Sequence, residues 1–330
     1  MGTLTTRRHC RRTLFAAALC GAIAFAQPAA AQAPYPSNTV KLVVPTAPGG
    51  SVDSAGRLLA EALAKALKTQ VIVDNRAGAG GVIGIDSVVR SPADGYTLVL
   101  GIAATLSVQP AVRSRLPYDA ARDLVPIAVF AQGGLVIAVP ASSPVRTLND
   151  LRALAARKGE LTFGSGGLAT FGHLSGEVVK SALGVPMRHV PYRGAAPAVT
   201  DLASELLDVA VVDAFSALPQ VQSGRVRVIA TAGPSRHVSF PDVPTLSEAG
   251  VPFARGTWIG LFAPAATPRN VLERLATELK SLAAQPTFQA GVAKLGFAPV
   301  YMPAAEVTKM LTSEIEAWRA DARRAGVHVE

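Results

Sequence analysis

The chain has 330 residues, with 32 Lys and Arg against 23 Asp and Glu, and a formal net charge of +9 at pH 7. The basic residues form no compact block, which excludes the usual electrostatic pattern of a nucleic-acid-binding protein. The cysteines, Cys10 and Cys20, both stand near the beginning of the chain. We therefore expect no disulfide framework, thiolate metal site or cysteine nucleophile in the rest of the protein.

The first residues have the composition of a cleaved secretory signal. Four arginines at positions 7, 8, 11 and 12 precede an apolar stretch, 14–26, that is too short to span a bilayer. Small residues fit a cleavage site after Ala31, with Ala33 as a second candidate. We predict a signal peptide over 1–31, export to the periplasm, and a mature chain with 28 basic and 23 acidic residues. No later apolar run reaches transmembrane length.

Strand-like and helix-like segments alternate after this leader. Short β-branched runs predict strands at 41–44, 71–73, 97–100, 125–130, 136–139, 161–163, 188–190, 209–212 and 226–230. Helical periodicity and caps predict helices at about 51–67, 80–90, 148–156, 171–183 and 195–206. Two apolar stripes near the end predict further core-facing helices: Val271, Leu275, Leu279 and Leu282, then Val307, Leu311, Ile315 and Trp318, with Gly326 as the stop. Repeated β-α-β units predict an α/β fold with mostly parallel sheets and flanking helices.

The segment KLVVPTAPGGSVDSAGR (41–57) is the most informative of these units. A buried strand is followed by a turn in which Gly49 and Gly50 supply backbone freedom, and Ser51 and Asp53 are N-cap residue types. Unpaired amides and the positive end of the helix dipole meet in this bare turn. Such a turn suits a negatively charged ligand.

Other loops of the same character follow other strands. They are DNRAGAGG (74–81), GSGGLATFGHLSGE (164–177) and HVPYRGAAPAVTDL (189–202), while Asp213 ends the strand at 209–212. Ligands of open α/β sheets bind outside the carboxyl ends of the strands. One such loop needs its glycines only for a tight turn, but several loops at the same edge indicate a binding crevice.

Common enzyme motifs are incomplete in this sequence. The dinucleotide fingerprint on Gly78 and Gly80 needs a third glycine where Ile83 stands, and Ser165 lacks the first glycine of a nucleophile elbow. The histidines at positions 173, 189, 237 and 328 show no metal-ligand spacing. A hydrolase that uses Ser165 and His173 is therefore a weak alternative.

Two acidic residues have two readings each. Asp53 stands in the first helical turn, where it either organises the turn as a cap or contacts water, a hydroxyl or an ammonium group of a ligand. Asp213 either binds a ligand donor or satisfies local amides. The residues alone do not separate these readings.

Together these segments resemble the Bug-type periplasmic solute receptors of tripartite tricarboxylate transporters. The resemblance is carried by the segments quoted above and by DGYTLVLG (94–101), PDVPTLSEAGVP (241–252) and Trp258, in the family's order along nearly all of the mature chain. It departs at Thr46, where an aromatic residue is commoner, and within the 164–170 loop, so substrate identity is the property left in doubt.

The resemblance implies a two-lobe, Venus-flytrap fold of the type II binding-protein kind. It divides the chain into a first lobe, 32–131 and 255–330, and a second lobe, 132–254, with crossings near Gln132 and Arg255. It also implies a carboxylate held by main-chain amides of the 46–53 and 164–170 loops, often through water. The implied ligand-binding residues are Thr46, Ala47, Gly49, Gly50, Ser51, Asp53, Thr105, Ser165, Gly166, Thr170, His173, Tyr192 and Asp213.

We therefore expect a monomeric periplasmic receptor, not an enzyme, that captures a small organic carboxylate and delivers it to a membrane permease. We expect no cofactor, no metal and no nucleic-acid partner. The alternatives are a ligand sensor that docks to a signalling partner and, less favoured, the exported serine hydrolase.

Overall fold

The computed structural model describes residues 35–327, and the part of the chain from Asn38 onward forms one compact unit. The predicted signal peptide and His328 lie outside the described residues. The strands are β1 Val40–Val44, β2 Val71–Asn75, β3 Thr97–Ile102, β4 Leu124–Gly133, β5 Leu135–Pro140, β6 Leu161–Ser165, β7 Met187–Pro191, β8 Val209–Asp213, β9 Val226–Ala232, β10 Thr257–Pro264 and β11 Ala298–Pro303. The helices are α1 Ser51–Leu67, α2 Val82–Val89, α3 Gln109–Val112, α4 Asp150–Lys158, α5 Phe171–Leu183, α6 Ala195–Ala203, α7 Ala214–Gln222, α8 Arg269–Ala283, α9 Pro286–Lys294 and α10 Ala304–Ala325.

The first sheet has the strand order β11-β4-β10-β3-β1-β2. β1 pairs in parallel with β2 and β3, whereas β10 runs antiparallel to both β3 and β4, and β11 runs antiparallel to β4. Strands β1 to β4 therefore point the same way, so the turn after β1 and the segment after β3 lie at one edge of the sheet.

The second sheet has the strand order β7-β6-β8-β5-β9. β6 is parallel to β7 and β8, while β5 is antiparallel to β8 and β9. The loops after β6 and β8 therefore also share an edge. The α/β prediction is confirmed, but β5, β10 and β11 make both sheets mixed where mostly parallel sheets were expected.

The chain passes from the first sheet to the second between β4 and β5, and it returns between β9 and β10. These two crossing segments are in close contact. A Cβ atom on Gly134 would lie 2.1 Å from the Ala232 carbonyl oxygen, and one on Gly256 would lie 2.5 Å from the Gly133 oxygen. Only glycine fits at such distances, so these residues allow the two crossing segments to lie side by side.

The last helix, α10, contributes to two hydrophobic cores. Val307 and Leu311 pack with the core of the first sheet, while Trp318 packs with the core that contains Phe171 and Phe253. Val271, Leu275, Leu279 and Leu282 of α8 are buried, as predicted, and Ile315 of α10 is only half-buried. The C-terminal half of α10, which the sequence assigns to the first lobe, thus contacts elements of the second sheet.

Several elements escaped prediction. The elements α3, α7, α9, β10 and β11 were not predicted from the sequence, and α6 ends at Ala203, three residues before its predicted end. α7 contains Pro219 and β11 contains two prolines, which weaken the local signals for a helix and a strand. Among the described residues, no helix combines the length and the apolar character that a bilayer crossing requires.

Candidate functional site

The turn between β1 and α1 exposes main-chain groups at the start of a helix. Gly50 is the N-cap of α1, in extended conformation and without a side-chain cap bond, and Gly49 has a φ of +92°. Ser51 and Asp53, which the sequence indicated as caps, lie inside the first helical turn. The first-turn amides have no acceptor within the helix, and the turn residues before them are exposed. The structure thus forms the predicted turn at a helix N-terminus, with glycine, not a polar side chain, as its cap.

Asp53 holds this turn together. Its Oδ2 accepts hydrogen bonds from the Gly49 amide at 2.9 Å and Arg57 Nε at 3.0 Å, and its Oδ1 accepts one from Asn75 Nδ2 at 2.9 Å. Asn75 also donates to the Thr46 carbonyl at 3.1 Å. Burial raises the pKa of Asp53, but the bonds from Arg57, Gly49 and Asn75 outweigh it and lower the pKa below its ordinary value. Both carboxylate oxygens are used internally, which favours the organising reading of Asp53.

The remaining predicted residues of this turn differ in exposure. Ala47, Gly49 and Gly50 are exposed, whereas Ser51 is 7% exposed. Thr46 is half-buried, and its Oγ1 is a buried hydroxyl without a partner among the described residues. A buried hydroxyl of this kind is available to a ligand or a water.

The loop after β6 is closed by its own hydroxyl groups. Ser165 Oγ donates to the Gly167 carbonyl at 3.0 Å, and Thr170 Oγ1 donates to the same oxygen at 2.9 Å. Thr170 is the N-cap of α5 and accepts a bond from the His173 amide at 3.3 Å. Ala169 has a φ of +54°, which a non-glycine residue rarely adopts. The loop is therefore a tightly built turn at a helix N-terminus.

Two stacked histidines contact this loop. The rings of His173 and His189 are 3.9 Å apart at 17°, and the His189 ring lies 4.8 Å from that of Phe163. His173 Nδ1 accepts a hydrogen bond from the Ala169 amide at 3.1 Å, and His189 Nε2 lies 2.7 Å from Ser165 Oγ. Sequence reasoning selected His173 but not His189, because the ring contacts join separate elements.

This burial keeps both rings neutral. Burial and the positive charge of Lys180 lower the pKa of His173 to about 4. Burial, His173 and Lys180 lower the pKa of His189 to about 3. The geometry does not support a hydrolase that uses Ser165 and His173. Ser165 is fully buried, and its hydroxyl contacts His189, not His173.

Asp213 lies at the end of β8, where it caps α7. Its Oδ1 accepts a hydrogen bond from the Ser216 amide at 2.9 Å. Burial raises its pKa, and bonds from Ser216 together with the nearby Ser51 side chain partly offset that rise. The α1 turn of the first sheet therefore lies near the end of a strand in the second sheet. Both readings of Asp213 remain, because it satisfies a local amide and also faces a donor from the opposite sheet.

Thr105 and Tyr192 use their hydroxyl groups in hydrogen bonds within the protein. Thr105 is fully buried in a π-helical segment, Ala104–Val108, and donates to the Ile102 carbonyl at 3.1 Å. Tyr192 directs its hydroxyl to Asp201 Oδ2 at 2.7 Å, and burial together with this bond raises its pKa to about 12. The Tyr192 amide donates to the Ser165 carbonyl at 3.0 Å, so the two segments are held in register.

Gln109 is a site neighbour that the sequence did not reveal. Its side chain is fully buried, its Nε2 donates to the Ala169 carbonyl at 3.2 Å, and its Oε1 accepts from Arg113 Nε at 2.6 Å. It links the segment after β3 in the first sheet to the loop after β6 in the second. No local pattern marks it, since its partner is 60 residues away.

A cavity of about 240 Å³ lies elsewhere, beside the two crossing segments. Gly133, Gly134, Arg255 and Glu314 are among its lining residues, and it shares none with the α1 turn, the 164–170 loop or Asp213. Among residues 35–327, no group of three or more His, Cys, Asp or Glu side chains is placed to hold a metal ion. The candidate site is therefore defined by the loops themselves, where Gln109 contacts Ala169 and Ser51 lies near Asp213.

Two helix-flanked mixed sheets, joined by two adjacent crossings and with loops that meet at their edges, define the two-lobe fold of periplasmic binding proteins. Solved structures with this fold match nearly the whole chain. Rpa4515 of R. palustris with adipate has a TM-score of 0.83 at 30% identity, over 89% of this chain and 99% of that chain. The periplasmic binding protein BugD has a TM-score of 0.81 at 30% identity, over 90% and 100%. MatC from Rhodopseudomonas palustris with bound malate has a TM-score of 0.79 at 27% identity, over 87% and 99%.

Residues 55–326 match the sequence model of the tripartite tricarboxylate transporter family receptor. The protein BugT of Bordetella pertussis is 32% identical over 302 residues, which cover 90% of this chain and 92% of BugT. A protein of Pseudomonas sp. strain P51, from the tcbD-tcbE intergenic region, is 37% identical over 288 residues, 86% and 85% of the two chains. The chain belongs to the tripartite tricarboxylate transporter receptor family. Its fold and family are those of binding receptors, not of enzymes.

Proposed function

We propose that this protein captures a small organic carboxylate between its two lobes and delivers it to the membrane permease of a tripartite tricarboxylate transporter. The observation that carries this proposal is the meeting of two amide-rich turns from different sheets, joined by the contacts of Ser51 with Asp213 and Gln109 with Ala169. Similar proteins solved with adipate and malate hold dicarboxylates. The family and the periplasmic relatives support a periplasmic location. We also propose that the receptor is a monomer.

The exposed and the buried residues of the site have different roles in this proposal. The amides around Ala47, Gly49 and Gly50, together with those of Gly166, bind the carboxylate directly or through water. Thr46, Ser51, Thr170 and Asp213 contact the polar remainder of the ligand. The organising and supporting positions are Asp53, Thr105, Ser165, His173 and Tyr192.

In this proposal, the permease recognises the closed conformation of the two lobes. We place the lobes at 32–131 with 255–330 and at 132–254, and the signal peptide at 1–31. The distribution of strands between the two sheets supports this division, with the last half of α10 as a bridge between them. A ligand that contacts both lobes stabilises the closed state by its differential affinity for that state.

A thermal-shift screen of the purified mature protein against di- and tricarboxylates, acidic amino acids and aromatic acids tests this function. Binding to the native state alone adds about 2.7 kcal/mol of stability at a ligand concentration of 100 times Kd. We expect at least one acid to raise the melting temperature. A neutral or cationic solute that raises it while every acid fails would show that the carboxylate assignment is wrong.

A further inference from the structure

The 164–170 loop is held by the side chains of His173, which is buried, and His189, which is half-buried. Two of its groups, the Ala169 amide and the Ser165 hydroxyl, bond to His173 Nδ1 and His189 Nε2 at 3.1 and 2.7 Å. The two rings stack on one another at 3.9 Å, and the His189 ring also contacts Phe163 in a tilted arrangement at 4.8 Å. Each ring therefore holds one end of the loop and also the other ring.

The contact with the Ala169 amide requires an uncharged His173 ring. An imidazole that accepts a hydrogen bond at Nδ1 must carry its proton at Nε2, and a protonated ring has no acceptor left. If both rings of the pair were protonated, their like charges would also repel each other at this distance. Burial and Lys180 oppose protonation of both rings.

The charged groups beside the pair come from α5. Glu177 Oε1 lies 4.0 Å from His173 Nε2, but Glu177 Oε2 is paired with Lys180 Nζ at 3.1 Å. β6 contributes Phe163 and Ser165, and β7 contributes His189 itself. The carboxylate that could favour a charged His173 is thus shared with a lysine, which leaves the neutral pair favoured.

We infer that His173 and His189 are positioning residues: as a neutral stacked pair they fix residues 165–169 in the shape that presents main-chain amides to the ligand. A proton on His173 removes the acceptor of the Ala169 amide, releases this loop and weakens binding. The effect on ligand rests on the proposed function, whereas the effect on the loop does not. Neither ring is required to touch the ligand.

Side-chain amides provide variants that keep the hydrogen bonds but do not titrate. Asparagine places an oxygen where His173 has Nδ1, and glutamine reaches the position of His189 Nε2. The double variant His173→Asn/His189→Gln therefore retains both loop contacts at every pH. His189→Phe retains the stack and removes the contact with Ser165. His237→Asn is the matched control, because His237 is buried, accepts from the Ser239 amide at 3.1 Å and lies away from the loop.

Amide hydrogen exchange of residues 165–170 between pH 7 and pH 4, corrected for the intrinsic exchange rate, tests the inference without a ligand. Imidazole nitrogen shifts report the tautomers in the same samples. We expect protection of the Ala169 amide to fall in the wild type and in His237→Asn once the pH drops below the ordinary histidine pKa of about 6.5. The fall should reach up to about tenfold per pH unit. Protection should stay constant in the double variant and should already be low at pH 7 in His189→Phe.

Affinity for an acid found in the thermal-shift screen, with malate and adipate as the first probes, should follow the same pattern. If no acid binds, the exchange data still decide the inference, so its failure is distinct from failure of the proposed function. A protonated ring at neutral pH, or Ala169 protection that falls equally in wild type and double variant, would overturn it. Unfolding of His189→Phe leaves the double variant as the deciding comparison.

Discussion

The turn before α1 and the loop before α5 stand at corresponding places in two sheets, but different chemistry holds each of them. A charged network of Asp53, Arg57 and Asn75 fixes the α1 turn, and Arg57 is more than half exposed. Hydroxyl groups and neutral imidazoles fix the α5 loop. Of these, Ser165 and His173 are buried, whereas Thr170 and His189 are half-buried. Two helix N-terminal turns can thus be fixed by a charged network around a buried carboxylate or by neutral polar groups.

The two regions also differ in how much space surrounds their glycines. A Cβ atom on Gly50 would meet nothing within 4 Å, whereas one on Gly172, in the first turn of α5, would lie 2.4 Å from the Val211 carbonyl oxygen. The first turn therefore has room for a side chain, and the second is in contact with the backbone of β8. Substitutions at these positions should separate the two designs.

The largest effect is expected from Gly172→Ala. Because the new methyl group meets backbone that cannot move alone, we expect a loss of about 3 kcal/mol in the free energy of unfolding. Urea denaturation with a constant m-value measures it. Gly50→Ala is the control and should change stability by less than about 1 kcal/mol, the range of N-cap exchanges. Equal losses of stability in both variants would show that the two turns do not differ in the space around their glycines.

Asp53→Ala should have the next largest effect. It removes three hydrogen bonds from a carboxylate that is 3% exposed, so we expect a loss of about 2 kcal/mol in stability together with weaker ligand binding. Chemical denaturation and calorimetric titration measure the two losses. Glu61→Ala removes an exposed ion pair with Lys65 on the same helix and should change neither quantity measurably. A stable Asp53→Ala protein would mean that the turn does not depend on this network.

Acid should affect the α5 loop before the α1 turn. The pKa values of His173 and His189, about 4 and about 3, lie below the ordinary 6.5, so their stabilising contribution is complete above pH 6.5 and declines as the pH falls below it. We expect a loss of about 1–2 kcal/mol per ring between pH 6.5 and pH 5. Asp53 has a lowered pKa, so its contribution declines only below its ordinary value of 3.8. Stability that is constant from pH 7 to pH 5 would contradict this order.

The smallest effect on folding is expected from Gly50→Leu, which places a side chain over the amides of the α1 turn. We expect the affinity for a captured acid to fall at least about tenfold, or about 1.4 kcal/mol, with little change in melting temperature. Isothermal titration compares it with Gly50→Ala, which should bind nearly as the wild type does. Unchanged affinity in Gly50→Leu would remove this turn from the site.

The sequence predicted what local signals encode. Gly49, Gly50 and Thr170 mark turns and caps by residue type, and the helix Phe171–Leu183 has the predicted bounds. The contacts of His189 with Ser165 and of Gln109 with Ala169 join residues 24 and 60 positions apart, so no periodicity reports them. Buried Ser165 was selected as a hydroxyl at a helix start, and buried Thr105 came from the family resemblance. Whether a hydroxyl faces a ligand or the core depends on packing that the sequence does not display.

The bridging helix α10 has a consequence for the order in which the protein is assembled. Trp318 is fully buried against Phe171 and Phe253, and Arg255 stacks on Phe253 and Trp318 and contacts Asp321. The aromatic cluster of the second sheet therefore stays incomplete until residue 318 has been synthesised. A chain that ends before Trp318 would leave the apolar faces of Phe171 and Phe253 uncovered, and the final turns of α10 close this surface.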